Sequence, residues 1–211
     1  MAKKAVERSQ RVERKQEIAP GVAAVVLIDE ARILRAPLLK NENTRGGDVY
    51  NVASIADMDD YGYLKTPKKE IRVKANLARA EKYRLEADDV LLTIVGTIGK
   101  ISIVPSDLSG KWIPTSNMLI VRFKDERADK AIAFTMFMKS EYGRAILAKL
   151  THGKTIPIIS KKAFARTFIP ELTSAVKKES KLLFSKEEKL YLKREELVAQ
   201  AEELRKDYLK G

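Results

Sequence analysis

Residues Leu91 to Val104 read LLTIVGTIGKISIV, two β-branched runs joined by a turn with a glycine at each end and a lysine after it. A nucleotide-binding P-loop needs four residues between its glycines and a Ser or Thr after the lysine. Here two residues separate Gly96 from Gly99, and Ile101 follows Lys100. The chain also continues as a strand where a P-loop opens a helix. The stretch therefore predicts a β-hairpin whose glycines shape the tip, with Lys100 suited to contact a polymer backbone.

The composition limits the classes of protein and partner. The chain of 211 residues, 45% of them apolar, can form one domain of ordinary size plus an appendage. It has no cysteine, which excludes a disulfide scaffold and a thiolate metal site. It shows no signal peptide or apolar run of spanning length, so a cytoplasmic protein is expected. A net charge of +12 attracts polyanions, although basic surfaces also occur on proteins that bind none.

The patterns along the chain predict three segments in a mixed α+β protein. Residues 1–19 are polar and basic and predict an N-terminal arm or solvated helix. Residues 20–171 combine strand and helix patterns and predict the folded domain, whose core is expected to lie before Pro170. Residues 172–211 predict one long helix.

Within the folded domain, short β-branched runs predict strands and a longer period predicts helices. Val22–Ile28 is continuous and apolar and predicts a buried strand, and Lys40–Val52 is a turn-rich loop that leads into the next strand. Asn117–Phe123 predicts another strand. Ala128–Leu150 suits one or two helices with a break near Gly143. The stretch KTIPIISKKAFARTFIPEL then predicts a loop, a short helix and a strand.

The last segment has the pattern of a coiled coil. After Thr173 it contains no proline, and no glycine before the terminal Gly211. Apolar residues recur at every seventh position: Val176, Leu183, Leu190, Leu197 and Leu204. Residues 173–210 would form a rod of about 57 Å, which is too long to bury this seam on the domain. The helix is therefore predicted to pair with another helix, in a partner or in a second copy of the chain.

Catalytic and metal sites are not evident. The single histidine, His152, lies beside a glycine and is interpreted as a loop residue. Asp57 and Asp59 begin like a calcium loop, but Tyr61 stands at the fifth position and Lys68 at the twelfth, where a bidentate Glu is needed. They are interpreted as a solvated turn. The Asn-Pro-Pro-aromatic motif and methyl-donor loop of an adenine methyltransferase are absent, so no catalytic residue, metal or cofactor is assigned.

Two motifs and the rod together resemble the specificity (S) subunit of type I restriction-modification systems. The motifs are a strand entering Gly-Thr-Ile-Gly-Lys, followed by a strand with Asn117 near its start, and Gly-x-Thr-Ile-Pro-x-Ile-Ser-Lys at Gly153–Lys161. The resemblance covers roughly residues 45 to 211. Residues 1–28 contain no segment that matches the family. Glu86–Asp89 stands where a Pro-Gly-Asp turn is usual, a change interpreted as harmless.

The resemblance implies a target recognition domain that reads half of a split DNA sequence, at residues 20–171. It also implies a helix, at 172–211, that spaces two such domains and docks a DNA methyltransferase subunit. S-adenosylmethionine would then be bound by that partner, and a restriction motor subunit could join the complex. With one domain and one helix, the chain resembles a half-length form expected to act as a homodimer, without catalysis of its own.

Candidate DNA contacts fall into basic loops and polar turns. The basic loops carry Lys65, Lys68 and Lys69 around Pro67, Lys100 at the hairpin, and Lys154, Lys161 and Lys162 beside Thr155 and Ser160. The candidates for reading bases are Arg45 in the segment NENTR, Thr97, Thr115, Ser116 and Asn117. Trp112 is assigned to the core.

Two other functions remain open. The chain could be a coiled-coil adaptor whose basic domain maintains solubility or docks an acidic protein. It could also be another nucleic-acid-binding accessory protein, although an RNA-binding sheet usually shows exposed aromatics that are not arranged that way here.

Overall fold

The computed structural model describes residues 17–19, 22–42, 46–59 and 61–208. Twelve strands are described: β1 Glu17–Ala19, β2 Val22–Val26, β3 Ala31–Leu34, β4 Asp48–Ala53, β5 Glu70–Val73, β6 Val90–Thr93, β7 Ile101–Ile103, β8 Trp112–Pro114, β9 Met118–Phe123, β10 Thr151–His152, β11 Ile158–Ile159 and β12 Phe168–Pro170. The described helices are α1 Leu27–Glu30, α2 Leu77–Lys82, α3 Arg127–Lys139, α4 Glu141–Leu150, α5 Lys161–Ala165 and α6 Ser174–Tyr208. The mixed α+β class and the long C-terminal helix are confirmed.

The predicted hairpin supplies strands β6 and β7 of a four-stranded sheet of order β3-β9-β6-β7. β6 pairs antiparallel with β7, with Leu91 opposite Ser102, and with β9 on its other side. Leu91 packs with Trp112 on one face of the sheet, whereas Leu92 packs with Phe134 of α3 on the other. Because both faces are covered, the strand is apolar at consecutive positions instead of alternating.

A second sheet, of order β5-β4-β8, lies behind the first. β4 pairs antiparallel with β5 and parallel with β8, so the loop at Lys40–Val52 leads into a strand as predicted. Trp112 of β8 is only 2% exposed, which confirms its place in the core.

The N-terminal strands form a third sheet, of order β1-β2-β12. The predicted buried strand at Val22–Ile28 is partly wrong, because it ends at Val26 and turns into the short helix α1. Val22 is 38% and Ile28 50% exposed. The end of the predicted N-terminal arm also differs, since Glu17–Ala19 pairs with β2. The rest of that arm lies outside the described residues.

The turn before β6 is held by ion pairs. Asp89 is fully buried and accepts hydrogen bonds from Arg122 Nε at 2.8 Å and Nη2 at 2.7 Å. Arg127, at the start of α3, donates to Glu86 Oε2 at 2.7 Å. The acidic turn therefore connects the central sheet to α3.

Two helices cover residues 127–150, and the break predicted near Gly143 lies at Ser140. Ser140 caps α4 by accepting a hydrogen bond from Gly143 N at 3.3 Å. A Cβ at Gly143 would lie 2.4 Å from Met138 Cα, so the glycine permits the close approach of the two helices.

Helix α6 contains 35 residues, which corresponds to a length of about 52 Å. Thr173 caps its start by accepting from Val176 N at 3.3 Å. The first half packs on α3 and contributes Phe184, which is 3% exposed, to the main core. The expectation that the core lies before Pro170 is therefore wrong, because α6 completes it.

Candidate nucleic-acid interface

The two sequence motifs meet at the tip of the hairpin. Ile159 N donates to Ile94 O at 2.9 Å, and Gly96 N donates to Pro157 O at 3.0 Å. A β-bridge between Val95 and Ile158 lies between these bonds. The Gly-Thr-Ile-Gly-Lys turn and the Thr-Ile-Pro loop therefore form one surface, although the bridged residues Val95 and Ile158 are 63 positions apart in the chain (158 − 95).

The turn with the predicted base-reading residues joins the same surface from the other side. Ile94 N donates to Asn117 O at 2.8 Å, so Thr115–Asn117 lies directly beside the end of β6. Arg35 Nε donates to Ser116 O at 3.0 Å. We call the segments 94–100, 115–117 and 153–162 the tip cluster.

Backbone geometry explains the glycines of the hairpin. Gly96 has φ +75° and Gly99 has φ +89°, in the region that favours glycine. Thr93 Oγ1 accepts from Lys100 N at 2.9 Å, and Gly99 N donates to Thr93 O at 3.1 Å. These contacts close the turn and leave the Lys100 side chain exposed. The prediction that the glycines shape the hairpin is confirmed.

Most predicted residues of the tip cluster face solvent. The exposed ones are Thr97, Lys100, Asn117, Lys154, Thr155, Lys161 and Lys162. Thr115 and Ser116 are half-buried. Ser160 caps α5 by accepting from Ala163 N at 3.5 Å, so its hydroxyl has a structural role. The cluster thus combines four exposed lysines with polar side chains suited to base edges.

The predicted loop around Pro67 lies elsewhere. The ammonium of Lys65 lies 2.8 Å from Asp59 Oδ2, which raises the lysine's pKa above its ordinary value. Lys68 and Lys69 are exposed and directly precede β5. Val52 N, in β4, donates to Lys69 O at 2.7 Å. These contacts do not join the three lysines to the tip cluster. Arg45 lies outside the described residues.

Two arginines beside the tip cluster were missed. Arg35 is anchored on Ser116, and Arg144 lines an open groove of about 520 Å³ with Ile98, Gly99 and Leu147. Arg144 lies on α4 one turn before Leu147, so a helical projection of that segment places it beside the apolar residue that contacts the hairpin. No sequence pattern indicates the position of Arg35, because only the tertiary structure brings it to Ser116.

The aspartates interpreted as a solvated turn have structural roles. Asp57 caps a short 3-10 helix by accepting from Ser54 N at 2.8 Å. The side chain of Asp59 is 7% exposed and accepts a hydrogen bond from Tyr191 of α6 at 2.6 Å. The interpretation was wrong because the partner of Asp59 lies on α6, more than 130 residues later (191 − 59).

The single histidine of the chain lies outside the tip cluster. His152 is exposed, and its Nδ1 lies 3.3 Å from Leu150 O. Among the described residues, no group of three or more His, Cys, Asp or Glu side chains could hold a metal. No helix in the described ranges is long and apolar enough to cross a membrane.

The five predicted seam residues of α6 differ in environment. Val176 is half-buried against the core. The other four are exposed: Leu183 by 49%, Leu190 by 72%, Leu197 by 52% and Leu204 by 71%. Most of the predicted seam is thus uncovered in a single chain.

A family model matches most of the folded domain. The family described as type I restriction modification DNA specificity domain matches residues 29–171. No curated protein matches the chain.

Solved structures show a similar fold at low identity. The HsdS subunit from Thermoanaerobacter tengcongensis has 16% identity and a TM-score of 0.57 over 86% of this chain and 41% of that one. A structure that describes complex assembly and conformational transition of the type I R-M system has 15% identity and a TM-score of 0.55, over 94% of this chain and 47% of that one. The S subunit of the type I restriction-modification system from M. genitalium has 12% identity and a TM-score of 0.51, over 88% of this chain and 43% of that one. The chain spans less than half the length of each of these three. Because the family model matches more than half of its residues, the chain belongs to the type I restriction modification DNA specificity domain family.

Proposed function

We propose that this chain binds duplex DNA through the tip cluster and directs a separate adenine methyltransferase subunit to its target. The observation that carries the proposal is the meeting of the two motifs, which brings the hairpin turn that precedes Lys100 against the loop between Lys154 and Lys161. Lysines bind phosphates without regard to sequence, whereas Thr97 and Asn117 offer hydrogen bonds to base edges. The surface thus has both parts that sequence-specific binding needs.

Charge reversal at the tip cluster tests the DNA contact. Lys100→Glu and Lys161→Glu should each weaken binding to all duplexes alike and reduce the steepness of the salt dependence between about 50 and 200 mM. Lys82→Glu is the matched control, because Lys82 is exposed on α2, outside the tip cluster. Fluorescence anisotropy with labelled duplex, competed by RNA, measures this. Equal losses in the control would refute the assignment, and salt-independent binding would refute the proposal.

The reaction itself belongs to a partner in this proposal. The chain would supply recognition, and the methyltransferase subunit would bind S-adenosylmethionine and transfer its methyl group. The similarity of fold to the structure that describes complex assembly of the type I R-M system supports such an arrangement. Purified chain with duplex DNA and S-adenosylmethionine should yield no methyladenine by mass spectrometry, and co-purification from the native cell should recover the methyltransferase. Product from the chain alone would overturn the non-catalytic role. A restriction motor subunit would be recovered in the same experiment if it joins.

The exposed stripe of α6 supports self-pairing. Leu190 and Leu204, one on each side of Leu197, are more than 70% exposed, and a continuous apolar stripe favours association. Two copies related by a twofold axis would bury the stripes against each other and hold two recognition domains apart. Identical domains would then read inverted copies of one half-site, so the target would be an interrupted palindrome.

The double variant Leu190→Glu with Leu197→Glu tests the pairing. It should give a monomer by light scattering, because like charges would face each other in the seam. Circular dichroism should still show a folded domain, since both side chains are exposed in the single chain. A wild-type monomer at micromolar concentration would refute self-pairing. An asymmetric methylated site, mapped in the genome, would refute the symmetric readout even if the dimer stood.

A further inference from the structure

A set of side-chain contacts fixes α6 to the domain at the residue where the helix begins to project into solvent. The hydroxyl of Tyr191 donates to Asp59 Oδ2 at 2.6 Å, and its ring centroid lies 4.4 Å from that of Tyr61. Asp59 also pairs with Lys65 at 2.8 Å. From residue 192 to 206 every side chain is exposed except the half-buried Ala201. Tyr191 therefore marks the end of the part of α6 that the domain holds.

Two turns earlier, an aromatic contact fixes the helix against the same loop. The ring of Phe184 lies 5.1 Å from that of Tyr63, edge to face. A Cβ at Gly62 would lie 2.8 Å from Phe184 Cε2, so helix and loop are in close contact. We call these residues the junction cluster: Asp59, Tyr61, Gly62, Tyr63, Lys65, Phe184 and Tyr191.

The loop of the junction cluster is anchored on the hairpin that carries the tip cluster. Ile103 N donates to Gly62 O at 2.5 Å, and Leu64 N donates to Ile103 O at 2.9 Å. Ile103 ends β7, the strand that begins directly after Lys100. One short strand thus connects the proposed DNA contact to the loop that holds Tyr191, so the direction of α6 is set relative to the tip.

The length of the outer helix makes its direction important for DNA spacing. The residues after Tyr191 extend for about 25 Å, at about 1.5 Å each. A tilt of about 8° over that length displaces the far end by about 3.5 Å, which is close to the rise of one base pair. In a pair joined through the outer helices, variation in this angle would therefore change the distance between the two recognition domains by the length of one base pair or more.

We propose that Tyr191, Asp59 and Lys65 are positioning residues that fix the angle between the recognition domain and the outer helix, and thereby the number of base pairs between two half-sites. The inference rests on the proposed function, in which paired copies read a split target. Among the described residues, the hydrogen bond of Tyr191 is the last polar contact between α6 and the domain before the exposed segment, and Lys65 pairs with its acceptor, Asp59.

A distance measurement tests the angle without DNA. The chain has no cysteine, so Asp107→Cys on the domain and Lys206→Cys on the outer helix accept spin labels selectively, and both positions are exposed. Labelled chain is diluted into unlabelled chain, and the distance distribution is measured by pulsed electron paramagnetic resonance. Tyr191→Phe, which keeps the ring, should broaden or shift the distribution, and Asp59→Ala should do so further. Tyr208→Phe is the control on the same helix, because Tyr208 is 86% exposed. Unchanged distributions in both test variants would overturn the proposal.

A spacer series tests the consequence for DNA. Duplexes selected by the wild type from a random library supply the half-site, and two inverted copies are then separated by spacers that differ by one base pair. The wild type should prefer one spacing, and Tyr191→Phe and Asp59→Ala should lose that preference while binding a single half-site as before. Lys100→Glu should instead weaken binding at every spacing and keep the preference. A wild type that prefers no spacing, or variants that keep its preference, would overturn the positioning role.

The two levels of failure are distinguishable. If the wild type selects no duplex at all, the proposed function fails and the spacing role fails with it. If the wild type selects DNA and the variants keep its spacing preference, the proposed function stands and only the positioning role is refuted. Lys65→Gln is a second, milder variant that leaves Tyr191 and Asp59 in place, and it should weaken the spacing preference in the same direction.

Discussion

The two halves of α6 carry the same heptad pattern but have different surroundings. Residues 174–191 pack on α3 through a face that includes Lys177, 7% exposed, and Phe184, 3% exposed. Residues 192–206 are exposed, except for the half-buried Ala201. The packed face is offset around the helix from the leucine stripe, since Leu183 beside Phe184 is 49% exposed. A helical period therefore locates an apolar stripe, but the neighbouring elements decide which face is buried in the domain.

Truncation of one large side chain in each half of α6 should give the largest difference in unfolding free energy between the halves. Phe184→Ala should lower the free energy of unfolding by about 3–5 kcal/mol, because it removes a buried ring from the main core. Leu197→Ala should change it by less than about 0.5 kcal/mol, because the side chain is largely exposed. Both are measured by urea denaturation in the Leu190→Glu background, at a protein concentration where light scattering shows a monomer, so that self-pairing does not contribute. Similar losses in the two variants would mean that the halves are not distinct.

A methyl group at Gly62 should sharpen the comparison by disturbing the inner half alone. Gly62→Ala should cost about 1–3 kcal/mol, because its φ of +116° disfavours a side chain and the new Cβ would lie 2.8 Å from Phe184 Cε2. Gly46→Ala is the matched control, since Gly46 has φ +83° and nothing within 4 Å of the added Cβ. The difference between the two losses measures the contact with α6. Equal losses would attribute the whole effect to backbone strain.

The boundary between the halves should respond weakly to alkaline pH. The hydrogen bond to Asp59 raises the pKa of Tyr191 above the ordinary value of 10.0. Because the unfolded chain ionises first, this contribution to stability is fully present below pH 10 and is lost as the pH rises through the folded-state pKa. We therefore expect the stability difference between wild type and Tyr191→Phe to shrink above pH 10, measured by urea denaturation. Tyr208→Phe should show no such trend, and a difference that grows with pH would contradict the assignment.

Local patterns predicted much of the fold and part of the interface. The hairpin at Leu91–Val104 was predictable because a β-branched run, a glycine turn and a second run are all local. The helices within residues 127–150 were predictable for the same reason, although the break fell at Ser140, whose capping role competes with a glycine signal. The roles of Asp59 and Arg35 were not predictable, since their partners, Tyr191 and Ser116, are distant in the chain.

By itself, the sequence determined the mixed class, the hairpin, the long helix and the two motifs of the family, because these depend on residue period and turn chemistry over short distances. Only the tertiary structure decided that the two motifs form one surface, and that Lys65 belongs to the junction cluster and not to the tip cluster. It also decided that Phe184 completes the core while Leu190 remains exposed. Such choices depend on contacts between residues far apart in the chain, and a pattern read along one segment contains no information about which distant surface will cover it.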